Sequence, residues 1–304
     1  MGWTSQELPS LTGRTAVVTG GNSGIGWHTA AALGRAGATV TLACRNVAAG
    51  ERAASELKEA GAGAVGVARL DLAELGSVKD FADSWAGPLD MLVNNAGVMA
   101  PPQHRQTGDG FELQLGTNHF GHFALTGRLL PKLLEAASPP RVTTVSSIAH
   151  FKGSGTVLAG NPREGYQPAR AYANSKLANL LFALELQRQA DSHDSCLISN
   201  AAHPGVSATN LVTSRQGLGS IPGVRLLAPL FLRLIFQSGN AGAEPTLYAV
   251  GEGGPASYTG PQWLRESRGP IGPAQVASHA LDEHLASRLW DLSVKSTGVE
   301  FSWP

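Results

Sequence analysis

Short apolar runs along the chain alternate with longer stretches in which apolar residues recur at helical spacing. The spacing predicts strands at Arg14–Thr19, Thr39–Cys44, Ala64–Leu70, Leu89–Asn94, Arg141–Ser146 and Cys196–Ala201, with a short seventh near Ala256–Thr259. Between them it predicts helices near Gly24–Arg35, Val47–Ala60, Ser77–Trp85, Gly110–Ala137, Ala171–Ala190 and Asn240–Val250, and a last one over Ala274–Ser293. Several strands are continuously apolar, as expected when helices cover both faces of a sheet. Strand–helix alternation of this kind predicts an α/β fold: a mostly parallel, seven-stranded, doubly wound sheet with right-handed crossovers. Residues 1–304 read as a single domain, without internal repeats or low-complexity tracts. Such sheets bind ligands beyond the carboxyl ends of their strands, so the informative residues are those that follow each strand.

Composition removes several function classes. With 42% hydrophobic and 15% charged residues among 304, the chain is globular. Lys and Arg together number 23, as do Asp and Glu, and no stretch is strongly basic, which argues against a nucleic-acid partner. The two cysteines, Cys44 and Cys196, have no metal-type spacing and no disulfide pattern, and point to a reducing, cytoplasmic setting. Residues 1–10 lack the apolar run of a signal peptide, and Gln6 stands where a myristoylation motif needs Ser or Thr. The segment Leu226–Phe236 (LLAPLFLRLIF) is too short to span a bilayer and is interrupted by Pro229 and Arg233. It reads as a pocket lid in preference to a peripheral membrane contact, and no integral membrane segment is expected.

The first strand is followed by Thr19-Gly20-Gly21-Asn22-Ser23-Gly24-Ile25-Gly26 and then a helix. Glycines allow a sharp turn and a close approach to a pyrophosphate, and the helix N-terminus supplies free N–H groups. Three residues separate Gly20 from Gly24, so the loop is not GxGxxG. The second strand ends Cys44-Arg45, where an NAD site usually carries a carboxylate for the ribose hydroxyls. An arginine there suits a 2′-phosphate through paired, charge-assisted hydrogen bonds, so the expected cofactor is NADP(H). Asp71, after the third strand, either accepts from an adenine amino group or caps the next helix. Asn94-Asn95-Ala96-Gly97, after the fourth, either lets the chain pass close beneath a cofactor or braces the strand ends.

Tyr172 and Lys176 lie four residues apart, on one helix face. A tyrosine pKa of about 10 is too high for acid–base work near neutrality, and a nearby ammonium with an oxidised nicotinamide would lower it. Ser146-Ser147 ends the fifth strand, where a hydroxyl could steady charge on a reacting oxygen. Asn118, between Gly116 and Gly121, is an odd polar point within a helical stretch. His203-Pro204-Gly205 breaks the chain after the sixth strand.

Taken in order, TGGNSGIG at 19–26, NNAG at 94–97, Asn118, SS at 146–147, YANSK at 172–176 and HPG at 203–205 resemble the short-chain dehydrogenase/reductase family, over about Leu11 to Phe301. LACRN at 42–46, VSSIAH at 145–150, YANSKLANLLFALEL at 172–186 and HPGVSATNL at 203–211 are similar to its retinol-dehydrogenase-like branch, which in turn resembles WW-domain oxidoreductases. The resemblance implies a Rossmann-type fold and an NADP(H)-dependent carbonyl reductase or alcohol dehydrogenase. It implies that Tyr172 is the general acid/base, and that Lys176 binds the nicotinamide ribose and lowers the Tyr172 pKa. Ser147 would polarise the substrate oxygen, and Asn118 would hold a water linking Lys176 to solvent. Gly20, Asn22, Ser23, Gly24, Ile25 and Gly26 would line the phosphates, Arg45 would take the 2′-phosphate, and Asp71 and Leu72 would flank the adenine. Asn94, Ala96 and Gly97 would lie under the ribose, with Pro204, Gly205 and Thr209 at the nicotinamide. Segments 152–170 and 205–236 would form a lid, and their aliphatic character suggests a lipophilic carbonyl or alcohol substrate. The helix Ala171–Ala190 resembles the family's self-association element, so a homo-oligomer is expected. A cofactor-sensing protein without turnover is the rival reading, and the intact Ser147, Tyr172 and Lys176 set speaks against it.

Overall fold

The computed structural model describes residues 2–205 and 238–304. Eight strands form one sheet: β1 (Thr15–Thr19), β2 (Thr39–Cys44), β3 (Val65–Arg69), β4 (Met91–Asn94), β5 (Arg141–Val145), β6 (Ile198–Ala202), β7 (Tyr258–Trp263) and β8 (Arg268–Pro273). Their order is β3-β2-β1-β4-β5-β6-β7-β8. The first seven run parallel, and β8 pairs antiparallel with β7. The winding direction reverses between β1 and β4, and that switch opens a crevice at the carboxyl edge.

The eighth strand corrects the expectation of seven. Its sequence, RGPIGP, carries the Gly and Pro that normally argue against a strand. An edge position tolerates them because one side of the strand needs no ladder partner.

Helices α1 (Gly24–Arg35) and α2 (Val47–Glu59) cover one face, with α6 (Gly239–Gly251) beside α1. Leu33, Leu42, Leu57 and Leu247 share the core there. The opposite face is covered by α3 (Leu75–Ser84), α4 (Gly121–Leu134) and α5 (Pro168–Ser192), and its core holds Val17, Leu92, Phe123, Leu129 and Phe182. A third cluster joins α5 to α7 (Glu283–Thr297) through Leu177, Leu181, Leu285 and Leu289.

Two helices depart from their predicted bounds. The stretch predicted as one helix over Gly110–Ala137 begins instead with a single α turn, Leu113–Leu115, capped by the Glu112 carboxylate. A π turn, Gly116–Phe120, follows before α4. The last helix begins at Glu283, not Ala274, because Asp282 caps it by accepting from the Leu285 N–H.

The helix on which the homo-oligomer expectation rested is covered by its own chain. Phe123 of α4 lies against Trp290 of α7 and against Phe301, with both ring centroids 5.0 Å away. Residues 171–187 of α5 are buried apart from the partly exposed Tyr172.

The insert 152–170 contributes to that cover. Val157 is fully buried in the third cluster, and two side chains of the insert bind Glu112. Glu112 is a buried carboxylate that accepts from the Gln114 and Leu115 N–H groups at 3.0 and 2.9 Å, the Asn161 amide at 3.0 Å and the Tyr166 hydroxyl at 3.1 Å. Thr209 and nearly all of the predicted lid 205–236 lie outside the described residues. Among the described residues no helix is long and apolar enough to cross a membrane.

Four donors converge on Glu112, and a buried donor left unmade is costly. Glu112→Ala is expected to lower unfolding free energy by about 3 kcal/mol in urea titrations. A change under about 0.5 kcal/mol would show that the insert is held by packing alone.

Candidate active site

The site is built at the carboxyl edge where β1 and β4 diverge. Gly20 leaves β1 with φ 64, a left-handed conformation that favours glycine. A Cβ at Gly26 would fall 2.5 Å from the Gly20 carbonyl oxygen and 2.6 Å from the Asn95 amide nitrogen, so the loop closes only around glycine. Ser23 precedes α1 without capping it through its side chain, which leaves the first-turn N–H groups for an anion. Asn22 is half-buried, Ser23 exposed, Gly24 has φ 56, and Ile25 anchors the turn in the core. This cradle fits the pyrophosphate of a dinucleotide.

Arg45 and Asp71 follow adjacent strands, and Arg45 Nε lies 3.9 Å from Asp71 Oδ2. The Arg45 side chain is 60% exposed, open enough to meet a phosphate. Asp71 accepts from the Ala73 N–H at 3.0 Å, and the cap of α3 is Glu74. Asp71 therefore closes the turn ahead of α3 and does not cap it. Leu72 packs its side chain into the core.

The four residues after β4 divide between bracing and approach. Asn94 is fully buried, its amide donating to the Thr126 hydroxyl at 3.1 Å. Asn95 donates to the Thr19 carbonyl at 2.7 Å. The Asn95 and Ala96 N–H groups both donate to the Thr19 hydroxyl at 2.9 Å. A Cβ on Gly97 would stand 3.1 Å from Asn118 Oδ1 and 3.7 Å from Lys176 Nζ. A larger residue would crowd the place where those two side chains meet.

Tyr172 and Lys176 share the first half of α5. The Lys176 ammonium is buried, donates to the Val145 carbonyl at 3.0 Å and lies 5.9 Å from the centre of the Tyr172 ring. Burial alone pulls its pKa down to about 8. Tyr172 is partly exposed at the cleft yet enclosed on its protein side. Burial pushes its phenol up to about 12, with a hydrogen bond to Ser147 acting the other way. Without a cofactor, then, burial outweighs the lowering that the sequence led us to expect from Lys176.

The two serines after β5 separate cleanly. Ser146 is buried and donates to the Lys176 carbonyl at 2.7 Å, fixing α5 to the sheet. Ser147 reaches Tyr172 and accepts from the Ala149 N–H at 3.1 Å.

Asn118 lies fully buried in the π turn and joins two elements. Its Oδ1 accepts from the Val98 N–H at 2.8 Å, and its Nδ2 donates to the Val98 carbonyl at 3.0 Å and to Ser175 Oγ at 2.9 Å. Gly205, with φ 67, and half-buried Pro204 lie beyond β6, where Gly205 donates to His203 Nδ1 at 3.2 Å.

The short chain dehydrogenase family model matches residues 14–217. This chain belongs to the short chain dehydrogenase family. Human retinol dehydrogenase 13 is 38% identical over 297 residues, which cover 96% of this chain and 86% of that protein, and the chain falls in the retinol-dehydrogenase-like branch. The crystal structure of an uncharacterized Mycobacterium paratuberculosis protein is 43% identical, with TM-score 0.83 over 99% of this chain and 100% of that one. The Pseudomonas aeruginosa RhlG/NADP active-site complex is 26% identical, with TM-score 0.60 over 80% and 90%.

Sequence reasoning about this short chain dehydrogenase missed two histidines that border its site. His150 donates from Nδ1 to the Ser147 carbonyl at 2.7 Å and accepts at Nε2 from the Ala277 N–H at 3.1 Å. It ties the turn carrying Ser147 to the segment before α7. His122 lies fully buried between β1 and the π turn. His150 closes the VSSIAH run and His122 sits four residues from Asn118, but each also has a partner more than 100 residues away, so spacing carried no signal of a role.

The lowered Lys176 pKa makes a directional prediction. The group is harder to protonate in the folded chain, so its burial penalty is present in full below about pH 8 and is relieved as pH rises from about 8 toward 10.5. The stability advantage of Lys176→Met over wild type should shrink across that range in denaturant titrations without cofactor. A difference independent of pH would mean that Lys176 titrates at its ordinary value.

Proposed function

We propose that this short chain dehydrogenase is an NADP(H)-dependent oxidoreductase acting on the carbonyl or alcohol carbon of a lipophilic substrate. The observation that carries the reading is the buried Lys176 ammonium, 5.9 Å from the centre of the Tyr172 ring and held by the Val145 carbonyl, with Ser147 on the turn that follows β5. Bound NADP(H) supplies or accepts the hydride, and its oxidised ring adds a positive charge. Tyr172 then gives its proton to the substrate oxygen in reduction, or takes one from the alcohol in oxidation. A second positive charge near the phenol opposes the burial that holds its pKa high. Lys176, with its pKa near 8, is able to pass a proton toward Tyr172 at neutral pH. Ser147 Oγ holds the substrate oxygen in reach of the phenol and steadies the charge that develops there.

In this reading Asn118 supports a water leading from Lys176 to solvent. Gly20, Asn22, Ser23, Gly24, Ile25 and Gly26 hold the pyrophosphate. Asn94, Ala96 and Gly97 lie under the ribose, Asp71 and Leu72 beside the adenine, and Pro204, Gly205 and Thr209 at the nicotinamide. Arg45 takes the 2′-phosphate, supported by its exposure and by the absence of a carboxylate at Cys44. The NADP bound to the Pseudomonas relative supports the same choice. Asp71, 3.9 Å away, holds Arg45 in place and limits its net charge. Metabolism keeps NADPH largely reduced, which favours carbonyl reduction. A retinol- or steroid-type alcohol dehydrogenase, favoured by likeness to retinol dehydrogenase 13, uses the same residues in the opposite direction.

NADPH and NADH oxidation followed at 340 nm against lipophilic aldehydes and ketones tests the reading. Tyr172→Phe should lower kcat by about 10³-fold with the fold intact. Arg45→Ala should weaken NADPH about 10- to 100-fold and leave NADH nearly unchanged. Wild-type preference for NADH would overturn the role of Arg45. Full activity in Tyr172→Phe would overturn the acid–base assignment.

A further inference from the structure

The π turn Gly116–Phe120 carries Asn118, and two imidazoles hold it from opposite sides. On the outer side, His119 Nε2 lies 2.8 Å from Ser293 Oγ of α7. That hydroxyl donates to the Leu289 carbonyl at 2.7 Å, so His119 is the donor in the contact. On the inner side, His122 Nδ1 lies 2.9 Å from the Asn118 carbonyl oxygen and His122 Nε2 lies 2.9 Å from Thr19 Oγ1.

The chemistry of the partners fixes the inner arrangement. A carbonyl only accepts, so His122 Nδ1 carries the proton. Nε2 is then the acceptor, and the Thr19 hydroxyl donates to it. The lone pairs of that hydroxyl take the Asn95 and Ala96 N–H groups. Burial, with the Lys176 ammonium nearby, depresses the His122 pKa to about 4, in keeping with a neutral ring. Both ring nitrogens of the fully buried His122 thus have a partner, whereas His119 Nδ1 has none, and the Val93 carbonyl also lies 3.2 Å from Thr19 Oγ1.

The circuit continues into the catalytic helix. Asn118 Nδ2 donates to Ser175 Oγ at 2.9 Å, and Ser175 Oγ donates to the Tyr172 carbonyl at 2.8 Å. Thr19, His122, Asn118, Ser175 and Tyr172 thus form an unbroken hydrogen-bonded line. It runs from the strand that carries the glycine loop to the residue with the phenol. Gly20 of the phosphate cradle and Tyr172 stand 152 positions apart in sequence, and the reaction needs their elements at one fixed distance. The π turn makes the line possible, since the extra residue in its ring displaces the helical ladder at Asn118.

We propose that His122 is a positioning residue that sets the distance between the cofactor cradle and Tyr172. It touches neither substrate nor cofactor, and it acts through Asn118. The inference rests on the acid–base reading of Tyr172 given above. A displacement of about 1 Å of a catalytic group is enough to cost about 100-fold in rate.

The test replaces the imidazole by a ring of similar size without nitrogens. His122→Phe should lower kcat about 100-fold, while the NADPH dissociation constant, read by nicotinamide fluorescence, stays within about threefold of wild type. His122→Asn, whose amide nitrogen can donate to the Asn118 carbonyl, should recover at least tenfold of that loss. If His122→Phe does not fold, Ser175→Ala breaks the same line nearer Tyr172 and should give the same split between kcat and NADPH affinity. Wild-type kcat in a folded His122→Phe, or in Ser175→Ala when the first does not fold, would overturn the proposal. So would a parallel loss of NADPH affinity, which marks collapse of the cradle. Tyr172→Phe is assayed alongside. If it is inactive while His122→Phe is not, only the positioning role fails; if it is active, the acid–base reading fails first.

Discussion

The Lys176 ammonium is enclosed by protein, with the Val145 carbonyl 3.0 Å from Nζ. Moving a charge from water into such a place is costly, and the rest of the fold must hold it there. Val145 ends β5, so the carbonyl is aimed by the sheet ladder and not by a loop. Ser146, the next residue, holds the Lys176 carbonyl. Asn179, one turn on, donates to the same Val145 oxygen at 3.0 Å. Sheet and helix are thus joined on both sides of the charge. The same enclosure that lowers the Lys176 pKa raises that of Tyr172, bringing the proton affinities of a lysine and a phenol out of their ordinary order.

That placement needs a rigid α5, and the chain provides it through several covers. The sheet packs beneath it, the insert with Val157 lies along it, and α7 with the last residues closes its outer side. Phe182, Trp290 and Phe301 lie in edge, stacked or tilted contacts within one aromatic cluster. Much of the sequence beyond β7 therefore supports the helix that carries Tyr172 while lying far from the cofactor loop in sequence. Glu112 extends this logic to the insert, joining it to the start of the helical stretch that carries Asn118.

Much of the fold was legible because its signals are local. Continuous apolar strands and Gly-rich turns mark β1 to β6 within a residue or two, and Tyr172 and Lys176 share a helix face by spacing alone. The failures have physical reasons. The edge strand β8 hid behind Gly and Pro, whose penalties apply to central strands and not to edges. The start of the last helix was set by the Asp282 cap, and local apolar periodicity continued upstream of it. The π turn is invisible to a 3.6-residue period because it inserts one residue into that period.

The sequence by itself determined the order of β1 to β7 and of the main helices, the sheet edge at which the candidate site residues gather, and the residue types offered there. Those follow from periodicity, turn chemistry and spacing, which act between near neighbours. Tertiary structure decided which serine is fixed to Lys176, how Asn94 and Asn95 brace the strand ends, and how a buried environment sets the proton affinities of Lys176 and Tyr172. It also recruited His122 and His150, each of which has one partner far away in sequence. Burial and hydrogen-bond completion are properties of the whole packed chain, and no local pattern states them in advance.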